Sequence, residues 1–291
     1  MGTLQSLDVV RRSATTTAPP QIREKISVTK LIDLSKCIGC KACQAACLQW
    51  NDLRDEVGTM KDGTYNNPLD LTDTTWTVMR FYEKEIDGKF HFLSVKDGCM
   101  HCAEPGCLAS CPAPGAIIQY SNGIVNFQQS ECIGCGYCNT GCPFNIPRIS
   151  SRDSKAYKCT LCVDRIAVGQ APACAKTCPT SSINFGSRED MLIQAEHRVE
   201  TLKAKGYKDA FVYNPSGVGG THVIYVMPYG KASVYGLPDN PGTSFAVGIW
   251  RGWFTKSLGV FTMFAVLLAG IFHYFKVGPY EVDESKGDDH E

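Results

Sequence analysis

The sequence lacks the features of several common classes of protein. Its 29 lysine and arginine residues balance 29 aspartate and glutamate residues, so no excess of positive charge favours binding to nucleic acid. It contains no dinucleotide-binding fingerprint and no serine, histidine and aspartate arrangement of a nucleophilic enzyme. The glycine-rich stretch 215–221 lacks the lysine of a phosphate-binding loop. These absences leave no recognisable site at which the chain would transform a substrate.

The N-terminal region also lacks an apolar secretory signal. Arg11 and Arg12 have the form of a twin-arginine element, but the polar residues 13–20 lie where its apolar segment would follow. We therefore interpret the arginine pair as surface charge. Residues 1–26 are expected to form a polar arm that lies over a partner or stays loose.

Cysteine, by contrast, is abundant, with 16 among 291 residues. The cysteines fall into four groups of four, and none is left over. In chain order, motifs I to IV are Cys37/Cys40/Cys43/Cys47, Cys99/Cys102/Cys107/Cys111, Cys132/Cys135/Cys138/Cys142 and Cys159/Cys162/Cys174/Cys178. So many cysteines in a chain of this size indicate a disulfide scaffold, structural zinc or iron–sulfur clusters.

The spacing of motif III discriminates between these chemistries. It spells C-x2-C-x2-C-x3-C followed by Pro143, the spacing of bacterial ferredoxins, in which three thiolates hold one [4Fe-4S] cube and the fourth serves a second cube. Disulfides between neighbouring cysteines would close strained loops, and zinc usually takes two pairs of ligands. Because Cys111, Cys142 and Cys178 each precede proline, we favour iron–sulfur clusters and keep zinc as the alternative.

A hairpin pattern between motifs II and III indicates how the motifs pair. The β-prone runs 116–120 and 123–127 are joined by an Asn-Gly turn, so motifs II and III reproduce a two-cluster ferredoxin in contiguous sequence. Motifs I and IV then form the second pair, closed by strands near Val28 and Ile183. The rival pairing, I with II and III with IV, is weaker because the segment between motifs I and II far exceeds a hairpin loop.

Crossed ligation within each pair predicts four [4Fe-4S] clusters. The expected ligand sets are Cys37, Cys40, Cys43 and Cys178 for cluster 1; Cys99, Cys102, Cys107 and Cys142 for cluster 2; Cys132, Cys135, Cys138 and Cys111 for cluster 3; and Cys159, Cys162, Cys174 and Cys47 for cluster 4. Lysines beside these motifs either raise the potentials of individual clusters or neutralise surface charge. They are Lys36, Lys41, Lys96, Lys158 and Lys176.

The predicted fold class is α+β: two ferredoxin-like [4Fe-4S] modules with nested motif pairing (I with IV, II with III), insertions, and one C-terminal transmembrane helix. Residues 77–95 contain two runs joined across Asp87 and Gly88, which predicts a hairpin, and an amphipathic helix is expected to start after Ser187. The expected boundaries are 1–26 for the N-terminal arm, 27–98 with 144–190 for the split outer module, 99–143 for the inner module, 187–246 for the helix and C-terminal extension, 247–280 for the transmembrane helix with its flanks, and 281–291 for an acidic tail.

The run of residues 257–275 has nineteen positions without a formal charge. At about 1.5 Å per residue it reaches roughly 28 Å, close to the ~30 Å hydrocarbon core of a bilayer. We therefore expect a single transmembrane helix, with a buried helix of a soluble domain as the alternative. His273 is the one ionisable side chain in this span, and it either reaches interfacial water or contacts a quinone or a haem-bearing partner.

Several stretches resemble one family over nearly the whole chain. They are CIGCKAC (37–43), WNDLRDE (50–56), DGCMHC (97–102), YKCTLCVDR (157–165) and GVGGTH (217–222). With the single C-terminal membrane helix, they are similar to the beta, iron–sulfur subunit of membrane-bound, quinone-linked formate dehydrogenases. The cysteine motifs alone are shared with electron-transfer subunits of sulfoxide and nitrate reductases, whereas residues 50–56 and the lone helix narrow the resemblance.

The resemblance implies a heterotrimer of anaerobic respiration in which this chain is not itself catalytic. A catalytic alpha subunit with a molybdenum or tungsten bis-pterin oxidises formate, this chain passes the electrons through its clusters, and a membrane cytochrome b gamma subunit reduces quinone. The implied location is the inner membrane, with the cluster domain on the periplasmic side. Arg251 and Lys256 precede the span and acidic residues follow it, a charge bias that alone favours the opposite orientation.

Two alternatives follow from the same residues. The chain could be the iron–sulfur subunit of another molybdopterin oxidoreductase, of the sulfoxide or nitrate type, because these share the cluster motifs. In a different class, it could be a membrane scaffold stabilised by zinc, because C-x2-C pairs also build zinc sites. A trimer of heterotrimers is a further expectation from the resemblance.

Overall fold

The computed structural model describes residues 8–14, 27–53, 65–243 and 255–278. The strands are β1 (Val9–Arg12), β2 (Val28–Asp33), β3 (Thr77–Ile86), β4 (Lys89–Gly98), β5 (Ile117–Tyr120), β6 (Val125–Phe127), β7 (Arg148–Ile149), β8 (Ala156–Tyr157), β9 (Ile183–Ser187), β10 (Phe211–Tyr213) and β11 (Val223–Met227). The helices are α1 (Ala42–Trp50), α2 (Gly106–Ser110), α3 (Tyr137–Thr140), α4 (Val163–Ala167), α5 (Ala173–Lys176), α6 (Arg188–Ala204) and α7 (Thr255–Val277). The chain divides into two units, Met1–Ser244 and Phe245–Glu291.

A four-stranded sheet in the order β10-β11-β2-β9 forms the centre of the first unit. Strand β2 pairs in parallel with β11 and antiparallel with β9, with Ile32 opposite Ile183, so the expected contact between strands near Val28 and Ile183 is confirmed. All six residues of β2 are buried. Because side chains alternate along a strand, Leu31 packs with α6 while Val28 and Ile32 pack with Cys43 and other residues of motifs I and IV.

Helix α6 has the N-terminal cap that the sequence predicts. The Asp190 backbone N–H donates to the Ser187 hydroxyl at 3.1 Å, which satisfies one of the free N–H groups of the first turn. The buried residues Met191, Ala195 and Leu202 face the sheet at helical spacing. This apolar face covers one side of the sheet and leaves the other side to the cysteine motifs.

Both predicted hairpins are present. Strands β3 and β4 pair from Thr77 opposite Gly98 to Ile86 opposite Lys89, and the turn residues Asp87 and Gly88 both have positive φ, as a tight two-residue turn requires. Strands β5 and β6 pair on either side of the Asn-Gly turn. The second hairpin lies between motifs II and III, as expected.

The N-terminal arm is more ordered than the sequence suggested. Residues 9–12 form β1, which pairs with β5. Ser13 is fully buried; its hydroxyl donates to the Ala113 carbonyl at 2.5 Å and accepts from the Ile117 N–H at 3.1 Å. For residues 8–14 the expectation of an arm that is loose or laid over a partner is therefore wrong, because they lie on this chain itself. Residues 15–26 of the arm lie outside the described part.

Helix α7 is the candidate membrane span. The stretch Ser257–Lys276 is long enough to cross a bilayer and has a mean hydropathy of 1.9. None of it is buried against other described parts of the chain, so the alternative of a buried helix in a soluble domain is not supported. The predicted acidic tail, 281–291, lies outside the described residues.

Candidate iron–sulfur centres

Motifs I and IV meet through two short helices. Cys43 and Cys47 lie one turn apart on α1, so their side chains share a face. Helix α5 carries Cys174, and Cys178 follows its end. Helices α1 and α5 pack against each other, which brings cysteines from the two ends of the cysteine-rich region together. Before α1 the chain turns through Gly39, which has φ +67°, a conformation that glycine adopts without strain.

One cavity is lined by the four cysteines expected for cluster 1. It has a volume of about 360 Å³. Its thiol lining is Cys37, Cys40, Cys43 and Cys178. Burial raises the pKa of Cys43 to about 11 against the opposing effect of Lys96, and neighbouring thiols add to the rise. Three members therefore come from motif I and the fourth from the end of motif IV.

The four cysteines expected for cluster 4 are all buried. Burial raises the pKa of Cys47, and the thiols of Cys159, Cys174 and Cys162 raise it further, which places Cys47 among the cysteines of motif IV. Burial also opposes ionisation of Cys159, but Lys30 and Lys96 outweigh it, so the pKa of Cys159 is lowered. The set is thus enclosed and faces positive charge.

Motifs II and III meet through α2 and α3, which approach at two glycines. A side chain at Gly106 would overlap the carbonyl oxygen of Gly141, and one at Gly141 would overlap the Ser110 hydroxyl. Helix α2 carries Cys107, and Cys111 follows its end, while α3 carries Cys138, with Cys142 just beyond. The close approach, which only glycine permits, brings the helix ends together in the same way as in the other pair.

The inner pair also brings together cysteines from both of its motifs. A cavity of about 320 Å³ is lined by Cys111, Cys132, Cys135 and Cys138, the cluster 3 set. In the cluster 2 set, burial raises the pKa of Cys107, and the thiols of Cys142, Cys99 and Cys102 raise it further, while Lys158 opposes the rise. Burial raises the pKa of Cys142 to about 11 in the same surroundings.

These sets fit an iron–sulfur cube better than a single metal ion. In tetrahedral zinc, Zn–S bonds of about 2.3 Å place the thiolates about 3.8 Å apart. Among the residues that the structure describes, which include all 16 cysteines, no three cysteine, histidine or acidic side chains converge on a single-ion site. The cavities between the cysteines also have apolar walls, including Ile32 and Met79 in one and Ile117 and Phe127 in the other.

Three buried lysines lie among the cysteine sets. Lys96 and Lys158, which the sequence singled out, are 2% and 4% exposed. Lys30, which the sequence analysis missed, is 1% exposed, and its Nζ lies 4.0 Å from Cys174 Sγ. The signal that could have indicated Lys30 is a charged residue within a strand, β2, whose residues are all buried. Lys36 forms an ion pair with Asp33 at 3.9 Å, and Lys176 is exposed.

Two of the sets reach the surface. Cys40 and Cys135 are exposed, whereas no thiol of the cluster 2 or cluster 4 set is. The neighbouring Ile38 and Ile133 are each 66% exposed. The two loops have the same sequence, Cys-Ile-Gly-Cys, and occur in different pairs. The chain therefore presents one cysteine set at the surface in each pair. The other set is buried in the outer pair and half-buried in the inner pair, where Cys99 and Cys142 are partly exposed.

His273, the candidate contact to a quinone or a haem-bearing partner, lies in the last two turns of α7. Its side chain is exposed on the isolated helix. Its role stays a prediction.

Fold and site together define a class of protein: an iron–sulfur electron carrier with two pairs of cysteine motifs and an apolar C-terminal helix. Family models agree with this class. A 4Fe-4S dicluster domain model matches residues 90–188 and a second matches residues 36–116. A model described as formate dehydrogenase N, transmembrane, matches residues 244–286, so the chain is anchored in a membrane.

Curated relatives narrow the class to one family. The chain is 55% identical to the iron–sulfur subunit of the nitrate-inducible formate dehydrogenase of Escherichia coli (strain K12), over 99% of each chain. It is 55% identical to the formate dehydrogenase-O iron–sulfur subunit of the same organism, over 99% of this chain and 97% of the relative. It is 53% identical to the formate dehydrogenase iron–sulfur subunit of Haemophilus influenzae, over 99% of this chain and 93% of the relative. The chain belongs to the family of formate dehydrogenase iron–sulfur subunits.

Proposed function

We propose that this chain carries electrons from a catalytic molybdenum or tungsten subunit, which oxidises formate, through four [4Fe-4S] clusters to a membrane cytochrome b subunit and the quinone pool. The observation that carries the proposal is the arrangement of the cysteines: of the four sets of four, sets 1 and 3 each contain an exposed cysteine, Cys40 and Cys135, whereas sets 2 and 4 contain none. Such an arrangement suits a series of electron-transfer centres with one exposed cluster at each end.

The proposed ligation is crossed within each pair. Cluster 1 is held by motif I and Cys178, cluster 4 by motif IV and Cys47, cluster 2 by motif II and Cys142, and cluster 3 by motif III and Cys111. The cavity linings of sets 1 and 3 and the mutual electrostatic effects within sets 2 and 4 support this assignment. The outer module, 27–98 with 144–190, then encloses the inner module, 99–143.

The clusters follow one another in the order 1, 4, 2, 3. The electrostatic effect of Cys174 on the pKa of Cys43 indicates that sets 1 and 4 are neighbours. Sets 4 and 2 are neighbours through Lys158, which precedes Cys159 in the chain and acts electrostatically on Cys159 and on Cys102, Cys107 and Cys142 of set 2. Sets 2 and 3 share the α2–α3 contact. Electrons would therefore enter and leave at the exposed sets 1 and 3.

The protein contributes positioning and insulation rather than chemistry. When bound, the clusters supply one-electron transfer. Thiols hold the iron in fixed positions, and the apolar walls exclude water, which sets the local dielectric and the reduction potentials. Exposed Ile38 and Ile133 beside the outermost thiols offer apolar contact to partner subunits at each end.

The proposed setting is a heterotrimer in the inner membrane. The catalytic alpha subunit and the cytochrome b gamma subunit are its two partners, the cluster domain lies on the periplasmic side, and three heterotrimers assemble into a trimer. His273 of α7 is proposed to contact the quinone or the haem-bearing subunit, since an ionisable side chain within a span usually serves a function. Unchanged formate-dependent quinone reduction in His273→Ala would contradict that role.

Purification of the intact complex tests the proposal. Iron and acid-labile sulfide are measured anaerobically, and formate-dependent reduction of a quinone analogue is followed. We expect roughly sixteen irons and matching sulfide in this chain, beyond the alpha subunit's own cluster and the haem iron of the gamma subunit. About four zinc ions and no sulfide would instead show the zinc scaffold. Reduction of a sulfoxide or nitrate without formate oxidation would leave the electron-transfer role intact and contradict a catalytic subunit that oxidises formate.

A further inference from the structure

Lys30 and Lys96 bring two positive charges to the inside of the outer pair. Their residues are 1% and 2% exposed. Lys30 comes from β2, on the strand face that packs against the cysteines, and Lys96 comes from β4. In the described part of the chain, neither ammonium forms an ion pair with a carboxylate: Lys30 Nζ approaches Cys174 Sγ at 4.0 Å, and Lys96 Nζ donates to the Thr77 hydroxyl at 3.1 Å. A buried charge without a counter-charge is costly.

The counter-charge available to both lysines is the cluster 4 set. Lys30 acts electrostatically on Cys159 and Cys162 in addition to its contact with Cys174. Lys96 interacts with Cys174, Cys159 and Cys47 of the same set, and with Cys43 of set 1. Every thiol of set 4 therefore lies in the field of at least one of the two ammonium groups.

The other sets have less positive charge around them. Lys158 lies beside set 2, but its ammonium donates to the carbonyls of Val125 at 2.6 Å and Cys159 at 3.0 Å. Set 3 has no fully buried lysine among the described residues; its neighbour Lys155 is only partly buried and donates to the Cys132 carbonyl. Set 1 shares Lys96 with set 4; the other lysine that lines its cavity, Lys41, is only partly buried and donates to the Tyr65 carbonyl at 2.6 Å, and Cys40 of this set is exposed to water.

We propose that Lys30 and Lys96 raise the reduction potential of cluster 4 above those of the other three clusters, so that cluster 4 is the first to accept an electron. The inference rests on the proposed function, because it assumes the ligand sets given there. A cube with four thiolates is negatively charged, and reduction adds a further negative charge. Burial alone disfavours that added charge, whereas two ammonium groups in a low-dielectric site stabilise it.

The position of cluster 4 gives this preference a consequence. In the order 1, 4, 2, 3 it is an interior cluster, one step from the exposed set 1. An electron that enters the chain would rest on cluster 4 until an onward step becomes available. Lys30 and Lys96 thus determine on which cluster an electron rests. Both side chains are buried and act through cluster 4.

The test replaces each lysine separately, as Lys30→Met and Lys96→Met, in the intact complex. Each cluster's reduction is followed by EPR during a potentiometric titration. We expect the signal that is reduced first in the wild type to be reduced at lower potential in both variants, with the order of reduction changed. Lys176→Met is the matched control, because Lys176 lies two residues from both Cys174 and Cys178 but is exposed; water should screen its charge, and the shift should be smaller.

The outcomes separate this inference from the proposed function. Full iron and sulfide content with an unshifted first signal would overturn the inference and leave the ligation intact. A wild-type complex without roughly sixteen irons in this chain would reject the proposed clusters themselves. Should both lysine variants fail to assemble, ligand variants decide: the first signal to be reduced should change in Cys47→Ser and persist in Cys40→Ser, and the reverse result would overturn the inference.

Discussion

The outer and inner cysteine pairs have the same loop at the surface but different interiors. In the outer pair the loop presents Ile38 and Cys40, and in the inner pair it presents Ile133 and Cys135, with both isoleucines 66% exposed. Behind the outer loop lie two buried ammonium groups with no carboxylate partner among the described residues. Behind the inner loop, the one buried lysine donates to backbone carbonyls. A repeated loop thus fixes where ligands lie, while its surroundings determine how the site holds charge.

The helix contacts differ in a similar way. The α2–α3 contact of the inner pair needs glycine at positions 106 and 141 because backbone and side-chain atoms fill the space beside them. The outer helices α1 and α5 contain no glycine. Added volume at the α2–α3 contact should therefore be poorly tolerated.

The largest expected effect comes from exchanging the last cysteine of a motif. Under the proposed crossed ligation, Cys111→Ser should damage cluster 3, assigned to motif III, and Cys142→Ser should damage cluster 2, assigned to motif II. Either variant should lose up to about a quarter of the iron in this chain and most formate-dependent quinone reduction. EPR spectra of the purified complex assign the affected cluster. Damage to the cluster of the same motif would refute the crossed ligation.

The second effect concerns His222, where the two pairs are joined. Its ring packs against Gly123 of the inner hairpin, and its Nδ1–H donates to the Val28 carbonyl of the outer sheet at 2.8 Å. Burial, aided by Arg188, lowers the pKa of His222 to about 4. The folded protein therefore holds this ring neutral while the unfolded chain, with a pKa near 6.5, takes up a proton. The contribution of His222 to the stability of the folded protein is therefore complete above pH 6.5 and is lost as the pH falls towards 4.

This pH dependence predicts how the stability of the His222→Gln variant differs from that of the wild type. The variant should be less stable than the wild type at pH 7.5, and the difference should shrink at pH 5, since only the wild type loses the contribution of His222 on acidification, on the order of a few kcal/mol by pH 4. Anaerobic thermal unfolding at both pH values measures it. His197→Gln is the control, because His197 is exposed. A difference that stays constant between the two pH values would contradict the assignment.

The smallest effect compares the equivalent glycines of the two surface loops. Gly39 and Gly134 have φ of +67° and +72°, so alanine at either costs about 1–2 kcal/mol. At Gly39 the new methyl group meets the side chain of Phe81 at 2.6 Å, whereas at Gly134 it overlaps the Ser154 backbone carbonyl. A ring can move more easily than a backbone, so Gly134→Ala should cost about 1–3 kcal/mol more.

Thermal unfolding of the two glycine variants measures this difference. Gly115→Ala serves as the control, because Gly115 has φ +74° with nothing within 4 Å of an added methyl group. Its loss of stability should therefore reflect the conformational cost alone, without steric overlap. Equal losses for Gly39→Ala and Gly134→Ala would show that the two loops are equally adaptable.

Local patterns in the sequence predicted the local structure well. The Asp87-Gly88 and Asn122-Gly123 turns and the Ser187 cap follow from short-range chemistry, and each is present in the structure. The spacing of the cysteines grouped motif I with Cys178 and motif III with Cys111, and each of these groups lines one cavity, while their ligation of clusters stays a prediction. Each of these features depends on residues close together in sequence or on a motif with a fixed ligand geometry.

Contacts between distant segments were not predictable in this way. The parallel pairing of β2 with β11 joins residues far apart in the chain, and no turn between them signals it. The placement of β1 on β5 depends on the burial of Ser13, a small polar residue with no distinctive pattern. Lys30 was missed because its importance arises from Cys174, which a sequence of six strand residues does not reveal.

The central position of β2 determines when this chain can finish folding. The side chains of Ser27 and His222, which meet beside β2, are 195 residues apart. At about 5–20 residues per second of synthesis, roughly 10–40 seconds pass before the partner strand β11 exists. Meanwhile six residues destined for the interior remain unpaired. The membrane helix α7 is made later still, so the sheet has all its strands before the anchor can reach a bilayer.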